Sequence, residues 1–143
     1  MKKKHSFLTK NIIIASDHAG FGLKELIKKK LENLGLNILD LGVDNKKVSV
    51  DYPTYAKKLS KKINSKNMGI LICGSGIGMS IASNRFKNVR SALVNSSMLS
   101  KLSRKHNNAN IICLAARFVT KKVGGPKSQE SQEEPEGART SRE

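Results

Sequence analysis

The sequence has few of the residues that build disulfide-rich or base-stacking proteins. It contains no tryptophan, aromatic residues make up 4%, and there are two cysteines in 143 residues. Two thiols without a CxxC spacing do not predict a disulfide framework or a zinc site, and they indicate a reducing compartment. We therefore expect no structural metal.

Long apolar runs are also missing. No stretch approaches the roughly 20 apolar residues that a membrane span needs. The first apolar run, residues 12–15, ends just before Asp17 and His18, which is too early for a signal peptide. We expect a soluble, cytoplasmic protein without a membrane partner.

Acidic residues are scarce. There are 11 Asp and Glu against 27 Lys and Arg, a formal net charge of +16. Nucleic-acid binding is one interpretation, but such proteins usually place aromatic side chains among clustered cations. Here the lysines stand singly or in short runs on predicted helix faces, so we interpret them as a solvated surface and expect no nucleic-acid partner. The positive field would attract a small anionic substrate.

Short apolar runs alternate with helical periodicity between residues 12 and 119. This alternation predicts repeated βα units around a parallel sheet. Five strands are predicted, at residues 12–15, 36–41, 69–73, 91–94 and 110–114, with four helices between them. We therefore expect an α/β fold: a three-layer αβα, Rossmann-like domain with a five-stranded parallel sheet in the flavodoxin-like order 2-1-3-4-5.

The two ends of the chain differ from this pattern. Residues 1–11 are predicted to be a basic extension and residues 12–123 the domain. Residues 124–143 contain no Val, Ile, Leu, Met or Phe, so we expect a disordered tail. A doubly wound domain normally closes with a helix after its fifth strand. Only a first turn, at residues 116–123, is predicted here, so the C-terminal helix looks truncated.

Open parallel sheets bind ligands beyond the carboxyl ends of their strands, where the strand order reverses. For the expected order this point lies between the first and third strands. Asp17 and His18 follow the first strand, and the glycine-rich residues 73–78 follow the third. Backbone amides of such a loop suit a phosphate or an oxyanion, and a plain tight turn is the alternative. Neither a Walker loop nor a dinucleotide fingerprint is complete.

Three side chains could carry chemistry or serve the structure alone. Cys73 precedes a predicted helix N-terminus, which favours a thiolate able to act as base or nucleophile, although a buried cysteine is more often inert. Asp17 could instead cap a helix. His106 could be a surface histidine favoured by the end of its helix.

Several motifs together resemble one family, ribose-5-phosphate isomerase B with the related galactose-6-phosphate isomerase subunits. In order along the chain they are SDHAGF at 16–21, DYP at 51–53, ILICGSGIG at 70–78, LSRKHN at 102–107 and AR at 116–117. The resemblance implies a cofactor-free aldose–ketose isomerase of the pentose phosphate pathway that interconverts ribose 5-phosphate and ribulose 5-phosphate. It also implies a homodimer or homotetramer whose active sites are shared between subunits.

The resemblance assigns roles residue by residue. Cys73 is the base that forms a cis-enediolate, because Met79 stands where another branch of the family has a glutamate. Ser75 and the loop amides stabilise the enediolate, and His106 with Asp17 opens the sugar ring. The substrate-binding and phosphate-binding positions are His18, Tyr52, Gly74, Gly76, Ile77, Gly78, Asn107 and Arg117.

The chain departs from the family at its end. The family continues with an amphipathic helix and a Gly-Gly-Arg-like segment whose arginines clamp the phosphate, whereas this chain has Gly137, Arg139 and Arg142 in an atypical tail. We assign those residues no role. The alternatives are a galactose-6-phosphate or allose-6-phosphate isomerase, or, owing to the altered C-terminus, a catalytically impaired sugar-phosphate-binding protein.

Overall fold

The computed structural model describes residues 11–118, which form a five-stranded sheet with helices on both faces. All four strand pairs are parallel. The strands are β1 (Asn11–Ser16), β2 (Ile38–Asp40), β3 (Asn67–Cys73), β4 (Ser91–Leu93) and β5 (Ile111–Ala115). The helices are α1 (Phe21–Asn33), α2 (Tyr52–Ser60), α3 (Ile77–Ser83) and α4 (Ser97–Asn107), and a 3-10 turn covers Ala116–Phe118. The predicted α/β class is confirmed.

The order of the last two strands was predicted wrongly. The sheet runs β2-β1-β3-β5-β4, so β5 lies beside β3 and β4 is at the edge. The physical reason is burial: Ile111, Cys113 and Ala115 of β5 are buried on one face, and Ile112 and Leu114 are half-buried on the other, as suits an inner strand with helices on both faces. The three residues of β4 are half-buried or exposed, which suits an edge. The reversal between β1 and β3 is unaffected.

The two faces of the sheet carry different helices. Right-handed crossovers place α1 and α4 on one face and α2 and α3 on the other. On the α1 face, Ile14, Ile70 and Ile72 pack against Leu23 and its neighbours in α1. The opposite core joins β1, β3 and β5 to α2 and α3 through a set that includes Ala56, Leu59, Leu71, Met79 and Cys113.

Two helix ends follow from local sequence. Gly35 has a φ of 82° just after α1, which is the left-handed position predicted for a C-terminal cap. Ser96 starts α4 by accepting a hydrogen bond from the backbone N–H of Leu99 at 3.1 Å. Within residues 11–118, no helix is long and apolar enough to cross a membrane. The predicted extension at 1–11 (apart from Asn11), the end of the truncated helix and the tail at 124–143 lie outside the described residues.

Candidate active site

The register of β1 against β3 brings the two predicted turns together. Ser16 is paired with Ile72, and the backbone N–H of Asp17 donates to the carbonyl oxygen of Ile72 at 3.2 Å. Asp17 and Cys73 are therefore the next residues along neighbouring strands. A Cβ atom on Gly20 would lie 2.7 Å from the same carbonyl oxygen, so the turn at 17–20 rests directly on the end of β3. The predicted crevice between the first and third strands is where the chemistry-bearing turns meet.

Asp17 and His18 are each held by a backbone amide. Asp17 is 8% exposed, and its Oδ1 accepts from the N–H of Gly20 at 3.0 Å, just before α1. The N-cap residue of α1 is Gly20, without a side-chain cap hydrogen bond, so Asp17 holds the turn before the helix and does not cap it. Its second carboxylate oxygen is left for other partners. The Nδ1 atom of His18 accepts from the N–H of Val50 at 3.1 Å. In the neutral ring this assigns the proton to Nε2, which is then a hydrogen-bond donor.

The glycine loop directs a backbone amide at the thiol. The N–H of Gly76 donates to Cys73 Sγ at 3.1 Å, and Gly76 has a φ of 76°. Ser75 Oγ accepts from the N–H of Ile77 at 3.2 Å, which leaves its own hydroxyl proton to be donated. The loop thus places a thiol beside hydrogen-bond donors of the kind that suit an oxyanion.

Tyr52 and Arg117 flank the loop because two of its glycines have no side chain. A Cβ atom on Gly78 would lie 2.5 Å from Tyr52 Cε1, and one on Gly74 would lie 3.0 Å from Arg117 Nε. The backbone N–H of Arg117 also donates to the carbonyl oxygen of Gly74 at 3.0 Å. An aromatic ring and a guanidinium group therefore lie beside the thiol loop.

His106 and Asn107 lie at the opposite end of the strands, where the strands begin. They end α4, and the next residue, Asn108, lines the same pocket as Asn67, the first residue of β3. Cys73 is the last of the seven residues of β3, so about 20 Å, the length of that strand, separates its amino end from its carboxyl end. The structure brings Asp17, His18, Tyr52, residues 73–78 and Arg117 together, and it does not bring His106 or Asn107 to them within one chain.

The two cysteines have different surroundings. Both are buried free thiols. Burial raises the pKa of Cys113 to about 11, more than the hydrogen bonds from Ser91 and Ser83 lower it. Cys113 is thus a protonated thiol at neutral pH and unsuited to act as a base. Met79 is fully buried in the core, and Cys73 is the thiol at the start of the glycine loop.

One charged pair near the site was missed by the sequence reasoning. Lys24 in α1 is 1% exposed, and its Nζ lies 2.6 Å from Oδ2 of Asp40 at the end of β2. The available signal was a lysine between Leu23 and Ile27, on the apolar side of its helix, together with an aspartate at a strand end. Within residues 11–118, no three His, Cys, Asp or Glu side chains gather closely enough to hold a metal ion.

Comparisons with known proteins show the family of this chain. The model of the Ribose/Galactose Isomerase family matches residues 12–125. The ribose-5-phosphate isomerase B of Escherichia coli is 36% identical over 112 residues, which cover 77% of this chain and 74% of that protein.

Solved structures give the same result. The ribose 5-phosphate isomerase B of Anaplasma phagocytophilum has a TM-score of 0.76 and 46% identity, covering 79% of this chain and 78% of that chain. The enzyme of Mycoplasma genitalium, solved with bound ribulose-5-phosphate, has a TM-score of 0.71 and 37% identity, covering 87% of this chain and 91% of that chain. The family match, the relatives and the fold thus identify this chain as a member of the Ribose/Galactose Isomerase family.

Proposed function

We propose that this chain is an aldose–ketose isomerase that interconverts D-ribose 5-phosphate and D-ribulose 5-phosphate, a step of the pentose phosphate pathway. The observation that carries the proposal is the thiol of Cys73, held by the amide of Gly76 beside Asp17 at the carboxyl edge of the sheet. The support from the comparisons is a solved relative with ribulose-5-phosphate bound.

In the proposed reaction, the Cys73 thiolate takes the proton from C2 of the open-chain aldose. The electron pair of that C–H bond forms the C1–C2 double bond, and the carbonyl oxygen on C1 becomes an oxyanion. The Ser75 hydroxyl and the loop amides stabilise this oxyanion, a type of contact worth about 2.7 to 4 kcal/mol per donor. Return of the proton to C1, with transfer of the O2 proton to O1, yields the ketose.

The remaining roles concern binding and ring opening. Arg117 and the Nε2–H of His18 would hold the phosphate, and Tyr52 would line the sugar. Asp17 and His106 would open the furanose ring by general acid and base catalysis.

Because His106 and Asn107 lie at the far edge, a second copy of the chain would supply them, and we propose a homodimer. The exposed apolar side chains of Ile77 and Ile81 on α3 and of Phe118 offer a contact surface beside the site. The two free cysteines suit the reducing cytoplasm, which we propose as the location.

The direct test measures formation of ribulose 5-phosphate from ribose 5-phosphate by the purified chain. Cys73→Ala should lower kcat by about 10²- to 10⁴-fold, because it removes the base. Cys113→Ala is the matched control, a second buried thiol outside the site, and should retain turnover. Equal rates for the wild type and Cys73→Ala would rule out the proposed role of Cys73.

A galactose-6-phosphate isomerase is the second candidate, because the family description covers both sugars. The two functions are separated by kcat/KM on ribose 5-phosphate, galactose 6-phosphate and allose 6-phosphate. A chain that bound a sugar phosphate without isomerising any of the three would instead be an impaired binding protein.

A further inference from the structure

A buried ion pair lies behind the Asp17–His18 turn. Lys24 is fully buried, and its ammonium group contacts Oδ2 of Asp40 at 2.6 Å and Oε2 of the exposed Glu25 at 3.2 Å. Phe21 covers it, with the ring centroid 5.2 Å from Nζ. Burying an ammonium group is costly, and replacing such a pair by apolar residues often leaves stability unchanged or improves it. Stability alone therefore does not account for the pair.

The carboxylate of Asp40 has a second partner on the loop after β2. Its Oδ1 accepts from the backbone N–H of Gly42 at 2.9 Å. The carbonyl oxygen of Gly42 in turn accepts from the N–H of Ser16 at 2.8 Å, and the N–H of Val43 donates to the carbonyl oxygen of Ser16 at 3.2 Å. Both backbone groups of Ser16 are thus held by the residues that Asp40 anchors.

Ser16 is the residue immediately before Asp17 and His18. The same loop ends at Val50, whose N–H contacts His18 Nδ1. On its other side, the turn at 17–20 leads into α1, which carries Lys24 one turn later. The ion pair therefore completes a continuous set of contacts. It connects α1 through Lys24 to Asp40, Asp40 through Gly42 to Ser16, and Ser16 along the chain to the turn at 17–20 that leads into α1.

We infer that Asp40 is a positioning residue for Asp17 and His18, with Lys24 as the buried counter-ion that fixes its carboxylate. Asp40 acts through the Gly42 amide and does not touch the substrate. Misplacement of catalytic groups by about 1 Å can cost about 100-fold in rate. The loss of this anchor should therefore lower kcat through Asp17. The displaced His18 should raise KM by a smaller factor, because the other substrate contacts, Arg117 and Tyr52, are held elsewhere.

The test compares two variants that both remove the buried charges. Lys24→Met with Asp40→Leu leaves no acceptor for the Gly42 N–H, whereas Lys24→Met with Asp40→Asn keeps a carbonyl oxygen there. We expect the Leu version to lose about 10- to 100-fold in kcat on ribose 5-phosphate, and the Asn version to stay within about threefold of the wild type. Lys28→Met is the control, since Lys28 contacts the same Oδ2 at 3.2 Å from a half-buried position, and it should leave kcat unchanged.

A wild-type kcat in the Leu version, or an equal loss in both double variants, would overturn the inference. If the Leu version does not fold, Asp40→Glu serves instead, because it still neutralises Lys24 while moving the carboxylate away from Gly42. It should lower kcat, and an unchanged kcat in the folded Asp40→Glu variant would overturn the inference.

The kinetic readout rests on the proposed isomerase activity, so a second readout is independent of it. Amide hydrogen exchange at Ser16, Gly42 and Val43 should become faster in the Leu version, while the amides of β3 keep wild-type protection. Absence of turnover by the wild type would defeat the proposed function alone. Unchanged exchange at those three amides would defeat the positioning role, whatever the activity.

Discussion

At the scale of single residues, the site depends on positions where no side chain fits. Gly76 combines a left-handed backbone with close neighbours: an added Cβ atom would lie 2.5 Å from Leu93 Cδ1 and 3.1 Å from the carbonyl carbon of Leu114. Gly35 has a similar φ of 82° but no atom within 4 Å of that point. A comparison of alanine substitutions at these two glycines therefore separates the free-energy cost of a left-handed backbone from the cost of steric crowding.

Gly76→Ala should consequently destabilise the protein more than Gly35→Ala. The left-handed conformation costs about 1 to 2 kcal/mol in either variant, and crowding at Leu93 adds about 1 to 3 kcal/mol to Gly76→Ala alone. Urea unfolding of both variants measures the difference. Equal losses of unfolding free energy would mean that the loop moves away from Leu93 freely.

Gly78 differs from these two glycines, because the ring of Tyr52 packs directly against it. Gly78→Ala places a methyl group 2.5 Å from Tyr52 Cε1, so the ring must move. A ring at the edge of the molecule can shift at small cost in stability, so we expect a higher KM for the sugar phosphate with little change in Tm. Gly22→Ala, which meets no atom within 4 Å, is the matched control and should leave KM unaltered. A normal KM in Gly78→Ala would argue against Tyr52 as a substrate contact.

At the scale of elements, ion pairs connect α1 to β2, because Lys24 and Lys28 of the helix contact Asp40 at the end of the strand. Burial by itself would raise the pKa of Asp40, but hydrogen bonds from Lys24, Gly42 and Lys28 outweigh it and lower that pKa below 3.8. The hydrogen bond with Asp40 raises the pKa of Lys28 above 10.5. The ionised forms of Asp40 and Lys28 therefore favour the folded state between pH 3.8 and pH 10.5.

This junction predicts how stability depends on pH. Because the folded pKa of Asp40 is lowered, its contribution is present above pH 3.8 and is lost as the pH falls further. Asp40→Asn should be less stable than the wild type at pH 7, and the difference should shrink in acid. Chemical unfolding at pH 7, 5 and 3 measures it. A difference that stays constant down to pH 3 would contradict the lowered pKa.

Elements were predicted better than their arrangement. The apolar run at 69–73 lies inside β3, and the period of Leu23, Ile27 and Leu31 lies inside α1, because each pattern records the burial of its own segment. The exchange of β4 and β5 was not predicted. Which of two short apolar strands becomes the inner one depends on packing against both helical layers, and no local pattern records that competition.

At the scale of the whole molecule, one chain holds two incomplete halves of the proposed site. Cys73 lies at one edge of the sheet, and His106 ends α4 at the other. In a dimer with two-fold symmetry, each site would take Cys73 from one copy and His106 from the other.

Mixing two inactive variants tests this sharing. Cys73→Ala and His106→Ala should each be slow alone. Co-refolded in equal amounts, they should regain about one quarter of wild-type kcat, because half of the dimers are mixed and each mixed dimer has one intact site. Sedimentation measures the dimer mass in the same samples. If verified mixed dimers regained no activity, the active site would not be shared between the two copies in the proposed way.

The sequence by itself determined the α/β class, the strand and helix segments and the two turns, Asp17–His18 and 73–78, that meet beyond β1 and β3. These follow from local periodicity and from the general rule that parallel strands present their carboxyl ends at one edge. Only the tertiary structure decided the inner place of β5, the separation of His106 from Cys73 and the burial of Lys24 against Asp40. Each of these depends on contacts between segments far apart in the chain, where burial and charge pairing are decided by packing.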